Sequence, residues 1–415
     1  MTVLTTVFWG IVTFSILVIL HESGHFLAAR AFKIKVHEFM IGLPGPALRI
    51  KTKNMTWGVT AIPLGGYVRI AGMEPGPEDE LLGPALKAIS VVGRADAASL
   101  SRMIAVDRDR ASALLATLAD WGAIEASQDD DVSYVPLHEA TADTDEQELL
   151  SAARAITYRG AKTWKRITVL VAGVAVNIIA AVLTFTVVLA VWGFYTATPV
   201  ISEVVPDTPA ASINLRVGDT LVAIDDAAVD SWQTFSEMVS SYEPGTLVHL
   251  AVERDSAALT FNVTLAEKEG RAYLGVAPTW THVDLSVTGA FRESLGYVGL
   301  VFKAIVGFFQ PSTFQQSVGQ SAGIVGISIM AAEAATTSPL DYAFLIALLS
   351  LSLGALNILP IPPLDGGKIA VEILERAIGR PLSRSFSLGL SAAGAMLLFS
   401  FIGYIMYADV MRLVG

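Results

Sequence analysis

Residues 21–25 read His21-Glu22-Ser23-Gly24-His25. On an α-helix, positions i and i+4 share a face, about 6 Å apart along the axis. Two imidazoles so placed can bind one zinc ion, and a carboxylate beside them can take a proton from an attacking water. HExxH is a metalloprotease signature. It supplies two ligands, whereas a catalytic zinc has three protein ligands and a water. The third must come from elsewhere. The competing reading is a helix end carrying interfacial polar residues. The cost of ionisable groups at membrane depth argues for a site instead.

A second segment offers the missing ligand. It reads Asn357-Ile-Leu-Pro360-Ile-Pro362-Pro363-Leu-Asp365-Gly366-Gly367. Proline removes N–H donors and blocks helix continuation. Broken backbone at membrane depth is tolerated only when buried in protein or facing a wet cavity. The three prolines predict an opened helix that delivers Asp365 at its end. His21 and Asp365 each come late in an apolar run, so they reach a similar depth. A turn that merely ends the helix with Asp-Gly-Gly is the alternative.

The elements that must position these residues are membrane spans. Of 415 residues, 53% are hydrophobic and 16% charged. That excludes a disordered chain and disfavours an ordinary soluble enzyme. No cysteine is present, which excludes disulfides, thiolate nucleophiles and cysteine-bound zinc. Four apolar runs approach or exceed the roughly 20 residues a bilayer core needs. They are centred on 3–32, 167–195, 342–365 and 386–410. The first lacks a basic start and a small-residue cleavage pattern, so a signal peptide is the weaker reading. Residues 295–310 are shorter, contain Lys303, and read as an interfacial or packed helix.

Basic residues orient the spans. Arg30, Lys33, Lys35, Arg49, Lys51 and Lys53 follow the first, and Arg159, Lys162, Lys165 and Arg166 precede the second. Lys368, Arg376, Arg380 and Arg384 lie between the third and fourth. All three clusters are expected in the cytoplasm, leaving both termini and residues 196–341 outside. The net charge is −11, and residues 78–154 alone hold sixteen acids against six bases. That acidic segment is expected to be solvated, and no basic nucleic-acid surface is indicated.

HExGH in the first span, with Asn-x-x-Pro-x-Pro-x-Leu-Asp-Gly in a later one, resembles the site-2 protease family of intramembrane zinc metalloproteases. Residues 58–72 (GVTAIPLGGYVRIAG) resemble that family's membrane-associated β-hairpin. Residues 166–177 (RITVLVAGVAVN) resemble the opening of its second span, whose usual form carries Gly-Pro and an Asn; here Val174 stands in place of that Pro, while Gly173 and Asn177 remain. The resemblance implies that Zn2+ is the cofactor, that His21, His25 and Asp365 bind it, and that Glu22 activates the water. It further implies that Asn357 helps bind or polarise the substrate backbone. Pro360 and Pro362 of the same motif, Asn177, and Gly65, Gly66 and Tyr67 of the hairpin complete the expected substrate-binding set. Residues 56–64 are β-rich, and an exposed edge strand can pair with an unwound peptide.

Residues 198–266 resemble a PDZ domain of the bacterial protease type, which binds extended peptides or a C-terminus. A folded spacer is the alternative. Ser321-Ala-Gly323-Ile-Val-Gly326 resembles a family segment whose small residues suit close packing. In the acidic segment, residues 97–104 and 108–121 read as helices, followed by Gly122, an acidic turn at Asp129–Asp131 and a strand at 132–135. That order resembles a winged helix-turn-helix. Its acidic wing disfavours phosphate contact, so no nucleic acid is expected; a cytosolic protein partner or regulatory role is the functional reading, and an inserted helical unit without function is the alternative. Residues 142–148 (ADTDEQE) read as a solvated linker.

The expected fold is a multi-span α-helical membrane protein of about four transmembrane helices. It adds a membrane-associated β-hairpin, an extracytoplasmic β-rich PDZ domain and a cytoplasmic α/β insertion. The expected divisions are 1–32, 33–77 (hairpin region), 78–158 (insertion), 159–196, 197–280 (PDZ), 281–340 (extracytoplasmic or interfacial helices), 341–380 and 381–415. The expected activity is intramembrane proteolysis of single-pass proteins, such as pre-cut anti-sigma factors or remnant signal peptides, in a bacterial cell membrane. A non-catalytic adaptor presenting a PDZ domain is the alternative. A zinc transporter would repeat its ligands along a path, and none repeat.

Overall fold

A computed structural model describes residues 2–414 apart from 43, 53–54, 63–64, 75–76, 128–131, 142 and 269. Lys53 of the first basic cluster, Pro63 and Leu64 of the β-rich stretch, the Asp129–Asp131 turn and Ala142 of the linker lie outside the described residues. The chain divides into two compact units, Met1–Thr186 with Phe291–Gly415, and Val187–Ala290. Among the described residues, four helices are long and apolar enough to cross a membrane: Val3–Ala31, Thr163–Trp192, Pro339–Asn357 and Arg384–Met411.

In the first unit, α1 (Val3–Ala31) starts where the Thr2 hydroxyl accepts the Thr5 N–H. Its 29 residues reach about 44 Å at about 1.5 Å per residue, beyond a hydrocarbon core of about 30 Å. Four strands follow: β1 (Val36–Ile41), β2 (Ala47–Lys51), β3 (Thr56–Thr60) and β4 (Gly66–Ile70). Their order is β2-β3-β1-β4. This corrects the hairpin expected across Gly65-Gly66, because β3 and β4 are not partners. β1 lies between them, parallel to β3 and antiparallel to β4. Gly65 and Gly66 reverse the chain, but a turn signal does not say which strand pairs next. β1 buries Val36, Phe39 and Met40, so it takes a central place. The true hairpin is β2–β3, with Leu48 opposite Val59 and Ile50 opposite Trp57. β4 ends the sheet on the other side.

The acidic segment builds its own core. Its elements are α2 (Leu82–Val92), α3 (Ala97–Met103), α4 (Arg108–Trp121), β5 (Ile124–Ala126), β6 (Tyr134–Pro136) and α5 (Glu146–Ala155). Leu86, Ile89, Leu100, Leu114, Leu118 and Trp121 are buried together. Asp96 and Asp107 cap α3 and α4 by accepting the Ser99 and Arg110 N–H groups. Gly122, at φ 69°, closes α4 in the left-handed region that favours glycine. The structure adds two helices to the sequence reading, and one corrects the linker. From Glu146 the chain is helical, capped by Asp145, with Leu149 and Leu150 packed on the core. Glu146 and Glu148 fall in its first turn, where the helix dipole favours acids, so its charge disguised a helix as a linker.

α6 (Thr163–Trp192) leads into the second unit. There the chain forms β7 (Phe194–Val204), α7 (Pro209–Ser212), β8 (Thr220–Ile224), β9 (Ala227–Ala228) and α8 (Trp232–Ser241). It continues through β10 (Leu247–Arg254), β11 (Ala257–Thr264), β12 (Ala266–Lys268), β13 (Arg271–Tyr273) and β14 (Val276–Val283). The main sheet runs β11-β10-β8-β7-β14. Ile201, Leu221, Phe235, Val248 and Val252 form its core. Asp219 is 1% exposed and pairs with Arg254, whose Nε lies 2.6 Å from Oδ1 and Nη2 2.7 Å from Oδ2. Arg254→Leu is expected to destabilise this unit, because the buried Asp219 carboxylate loses its cation and keeps only the Arg216 N–H at 2.8 Å. The Arg254 guanidinium holds the Asp219 carboxyl below its ordinary 3.8. A depressed carboxyl stabilises the fold above its ordinary pKa, and that stabilisation fades as pH falls toward the lower folded value. The wild-type unit therefore weakens below pH 3.8. Limited proteolysis of the whole chain across pH should show Asp219→Asn losing that part of the acid sensitivity.

The remaining helices are α9 (Val287–Gly307), α10 (Phe314–Gln320), α11 (Ile324–Thr337), α12 (Pro339–Asn357), α13 (Asp365–Ile378) and α14 (Arg384–Val414). Val301 and Ile305 of α9 are buried with Phe185 of α6 and with Ala347 and Leu351 of α12. Gly10 lets α11 approach α1, since a Cβ there would stand 2.4 Å from Ser328 Oγ. Asp409 of α14 accepts the Gly323 and Gly326 N–H groups at the start of α11.

Candidate metal centre

His21 and His25 are buried on α1, and Asp365 is buried at the first turn of α13. The helix opens after Asn357, as its prolines predict. Asp365 then begins the next helix rather than closing the broken one, and residues 358–364 form the link. Gly366 and Gly367 make this possible. A Cβ on Gly366 would stand 2.1 Å from the Ile358 carbonyl oxygen, and one on Gly367 2.2 Å from Pro362 N. The link folds directly over the start of α13, and only hydrogen fits beneath it.

The three side chains converge on a point. His21 Nε2 lies 3.2 Å from His25 Nε2, and each lies 3.0 Å from Asp365 Oδ2. His25 Nδ1 donates to the Val169 carbonyl of α6 at 2.7 Å. That bond fixes the tautomer and leaves Nε2 with a lone pair. Asp365 Oδ2 is buried without a hydrogen-bond partner. Lone pairs facing one another in a buried site need a cation between them. Ligands about 2.0–2.1 Å from a tetrahedral zinc stand about 3.3 Å apart, close to the observed triangle. The residues fit a zinc ion.

Supporting contacts come mainly from α6. Asn177, fully buried, places its side-chain amide 3.5 Å from His21 Nδ1, and its Oδ1 has no partner as oriented. The two ends of an amide are interchangeable in assignment, so turning it over would give the His21 Nδ1–H the acceptor that an Nε2 ligand needs. Ser350 of α12 donates to the Asn177 carbonyl at 3.1 Å. α1 and α6 meet at two glycines. A Cβ on Gly24 would stand 2.2 Å from the Ala172 carbonyl oxygen, and one on Gly173 2.5 Å from His25 Nε2. Gly173 therefore keeps the metal cradle open. Arg166 of α6 and Glu372 of α13 pair at 2.7 Å, tying the helix under His25 to the helix bearing Asp365. Lys368 Nζ lies 3.3 Å from Asp365 Oδ1, the oxygen that faces away from the histidines.

Glu22 is half-buried, and its Oε2 accepts the Val68 N–H of β4 at 3.0 Å. The strand edge and the HExxH helix thus touch through the one carboxylate between the histidines. Gly66 lies close by, where a Cβ would stand 2.8 Å from Val18 and 3.8 Å from Glu22 Cγ. Gly65 adopts φ 117° and accepts the Gly42 N–H. Tyr67 donates its hydroxyl to Glu38 at 3.3 Å. Asn357 is buried at the end of α12 and donates Nδ2 to the Leu353 carbonyl, within its own helix. Pro360 is exposed, and the Pro362 carbonyl packs on Gly394 of α14. Among the expected residues, His21, Glu22, His25, Asp365, Asn177, Gly65, Gly66 and Tyr67 gather around α1 and the β4 end of the sheet. Asn357, Pro360 and Pro362 lie at the end of α12 and in the link to α13. Val68 and Val169 act through backbone atoms, which no residue type reveals. Lys368 carries only the weak signal of a cation three residues beyond Asp365.

The sequence matches peptidase family M50 over residues 9–401. It is 30% identical to the zinc metalloprotease RasP of Shouchella clausii, over 90% of this chain and 91% of that relative. It is 28% identical to the metalloprotease MmpA of Caulobacter vibrioides, over 96% of this chain and 93% of that relative. A PDZ domain of an SdrC-like protein from Listeria monocytogenes aligns with 20% of this chain and 88% of its own, at 25% identity and a TM-score of 0.19.

Proposed function

The chain belongs to peptidase family M50, the site-2 protease family, and from that premise we propose that it cuts single-pass membrane proteins in or near their transmembrane segments. It is a zinc metalloprotease and an integral membrane protein. The observation that carries the finer reading is the ligand triangle of His21, His25 and Asp365, set between helices of spanning length. A non-catalytic adaptor has no use for it.

His21, His25 and Asp365 hold the metal, which when bound supplies a Lewis acid to the scissile carbonyl. Glu22, steadied by the Val68 N–H, takes a proton from the attacking water and returns it to the leaving amine. A transmembrane helix must unwind before its amide can be cut, because its backbone groups are otherwise bonded internally. The outer edge of β4, apart from the Val68 N–H that Glu22 takes, offers partners for the released strand. Asn357, Asn177, Pro360 and Pro362 are the remaining candidates for substrate contact.

The basic clusters favour a cytoplasmic acidic insertion, with the PDZ domain and both termini outside a bacterial cell membrane. There the PDZ domain takes an extended peptide, and bulky ectodomains are screened out. The insertion is free to meet a cytosolic protein, and nucleic acid remains disfavoured by its charge.

The test uses purified protein in detergent with a single-pass substrate, either shorn of its ectodomain or whole. Cleavage of the shorn substrate that stops with a zinc chelator is the expected result. Cleavage of neither substrate, with zinc bound at one per chain, would overturn the proposed substrate class.

A further inference from the structure

The acidic insertion has no part in the chemistry described so far, yet one of its residues grips the sheet that touches Glu22. Asp120 lies in the last turn of α4. Its Oδ2 accepts the Gly72 N–H, two residues beyond β4, at 2.7 Å. Its Oδ1 lies 3.9 Å from Arg69 Nε on β4 and 3.7 Å from His37 Nε2 on β1. Its backbone carbonyl accepts from the same His37 nitrogen. Gly122, just after α4, packs against the Lys35 side chain. Ala71 completes the junction, donating to the Lys35 carbonyl at 3.0 Å and accepting the Tyr158 N–H at 2.8 Å.

We propose that Asp120 is a positioning residue that fixes β4 against Glu22, making the insertion part of the proteolytic machinery. β4 ends its sheet, and among the described residues β1 is its one strand partner. Its contact with Glu22 is a single N–H at Val68, four residues before the Gly72 anchor. Fully extended chain would span at most about 13 Å there, and the turn at Ala71 and Gly72 brings the two points closer. A strand tethered on one side and released at its end can shift by an ångström. A displacement of that size at a reacting group can cost about 100-fold in rate.

The activity arm rests on the protease reading, and the exchange arm does not. Asp120→Ala, Asp120→Asn and wild type are compared as whole zinc-loaded protein in detergent. Hydrogen exchange at the amides of residues 68–72 is expected to quicken in Asp120→Ala. It should stay near wild type in Asp120→Asn, which keeps an acceptor for the Gly72 N–H. Zinc content is expected to be equal in all three. Cleavage of the shorn substrate is expected to fall by up to about 100-fold in Asp120→Ala and to recover in Asp120→Asn. If Asp120→Ala does not fold, Asp120→Glu, which keeps the charge but displaces the acceptor by one methylene, carries the same expectation of quickened exchange. Unchanged exchange in Asp120→Ala, or an equal effect in Asp120→Asn, overturns the proposal. Exchange decides the matter even if wild type cuts nothing offered to it.

Discussion

Glu22→Gln is expected to lower kcat by about 100- to 10,000-fold, the usual weight of a positioned general base, with zinc content unchanged. Glutamine matches glutamate in shape, and its Oε1 can still accept the Val68 N–H that Glu22 holds at 3.0 Å. The strand contact and helix packing therefore survive, and only basicity is lost. A substrate that still binds, with its KM little changed, would place the defect in the proton transfers. Single-turnover cleavage beside a metal assay is the measurement. Cleavage at the wild-type rate would remove Glu22 from the mechanism.

Asp365→Ala is expected to act one step earlier, on the metal itself. Two histidines remain, and a catalytic zinc site uses three protein ligands. The loss in zinc affinity should exceed the roughly 10- to 100-fold typical of an outer hydrogen-bond partner. Asp365→Asn should fall between, since an amide keeps an oxygen but not the charge. Chelation of the wild type should reproduce the inactive state, and added zinc should restore it. The same addition should leave Asp365→Ala inactive. Zinc titration followed by dialysis reads all of this directly. Stoichiometric, tightly held zinc in Asp365→Ala would exclude it as a ligand.

The two effects are distinguishable because the structure separates their contacts. Glu22 is tied to the sheet, whereas Asp365 is tied to both histidines and to Lys368. One substitution should leave metal and lose turnover. The other should lose both together.

The sequence by itself determined the chemistry and the helices that carry it. His21 and His25 share a helix face by arithmetic, and apolar length marks the four spanning helices. Three prolines broke the later helix near Asp365, as their missing donors require. These signals are local, each a matter of residue type and short spacing. Tertiary structure decided what depends on distant partners. The insertion of β1 between β3 and β4 is a choice among strand edges, which turn chemistry at Gly65-Gly66 does not make. The helix at 146–155 is held by packing on the insertion core, against a composition that reads as linker. The carbonyl of Val169 and the amide of Val68 do their work from the backbone, so their side chains give no sign of it. Asp120 reads as one acid among sixteen in its segment. Its contacts with Gly72, Arg69 and His37 join residues about 50 to 80 positions apart, and only the folded chain brings them together.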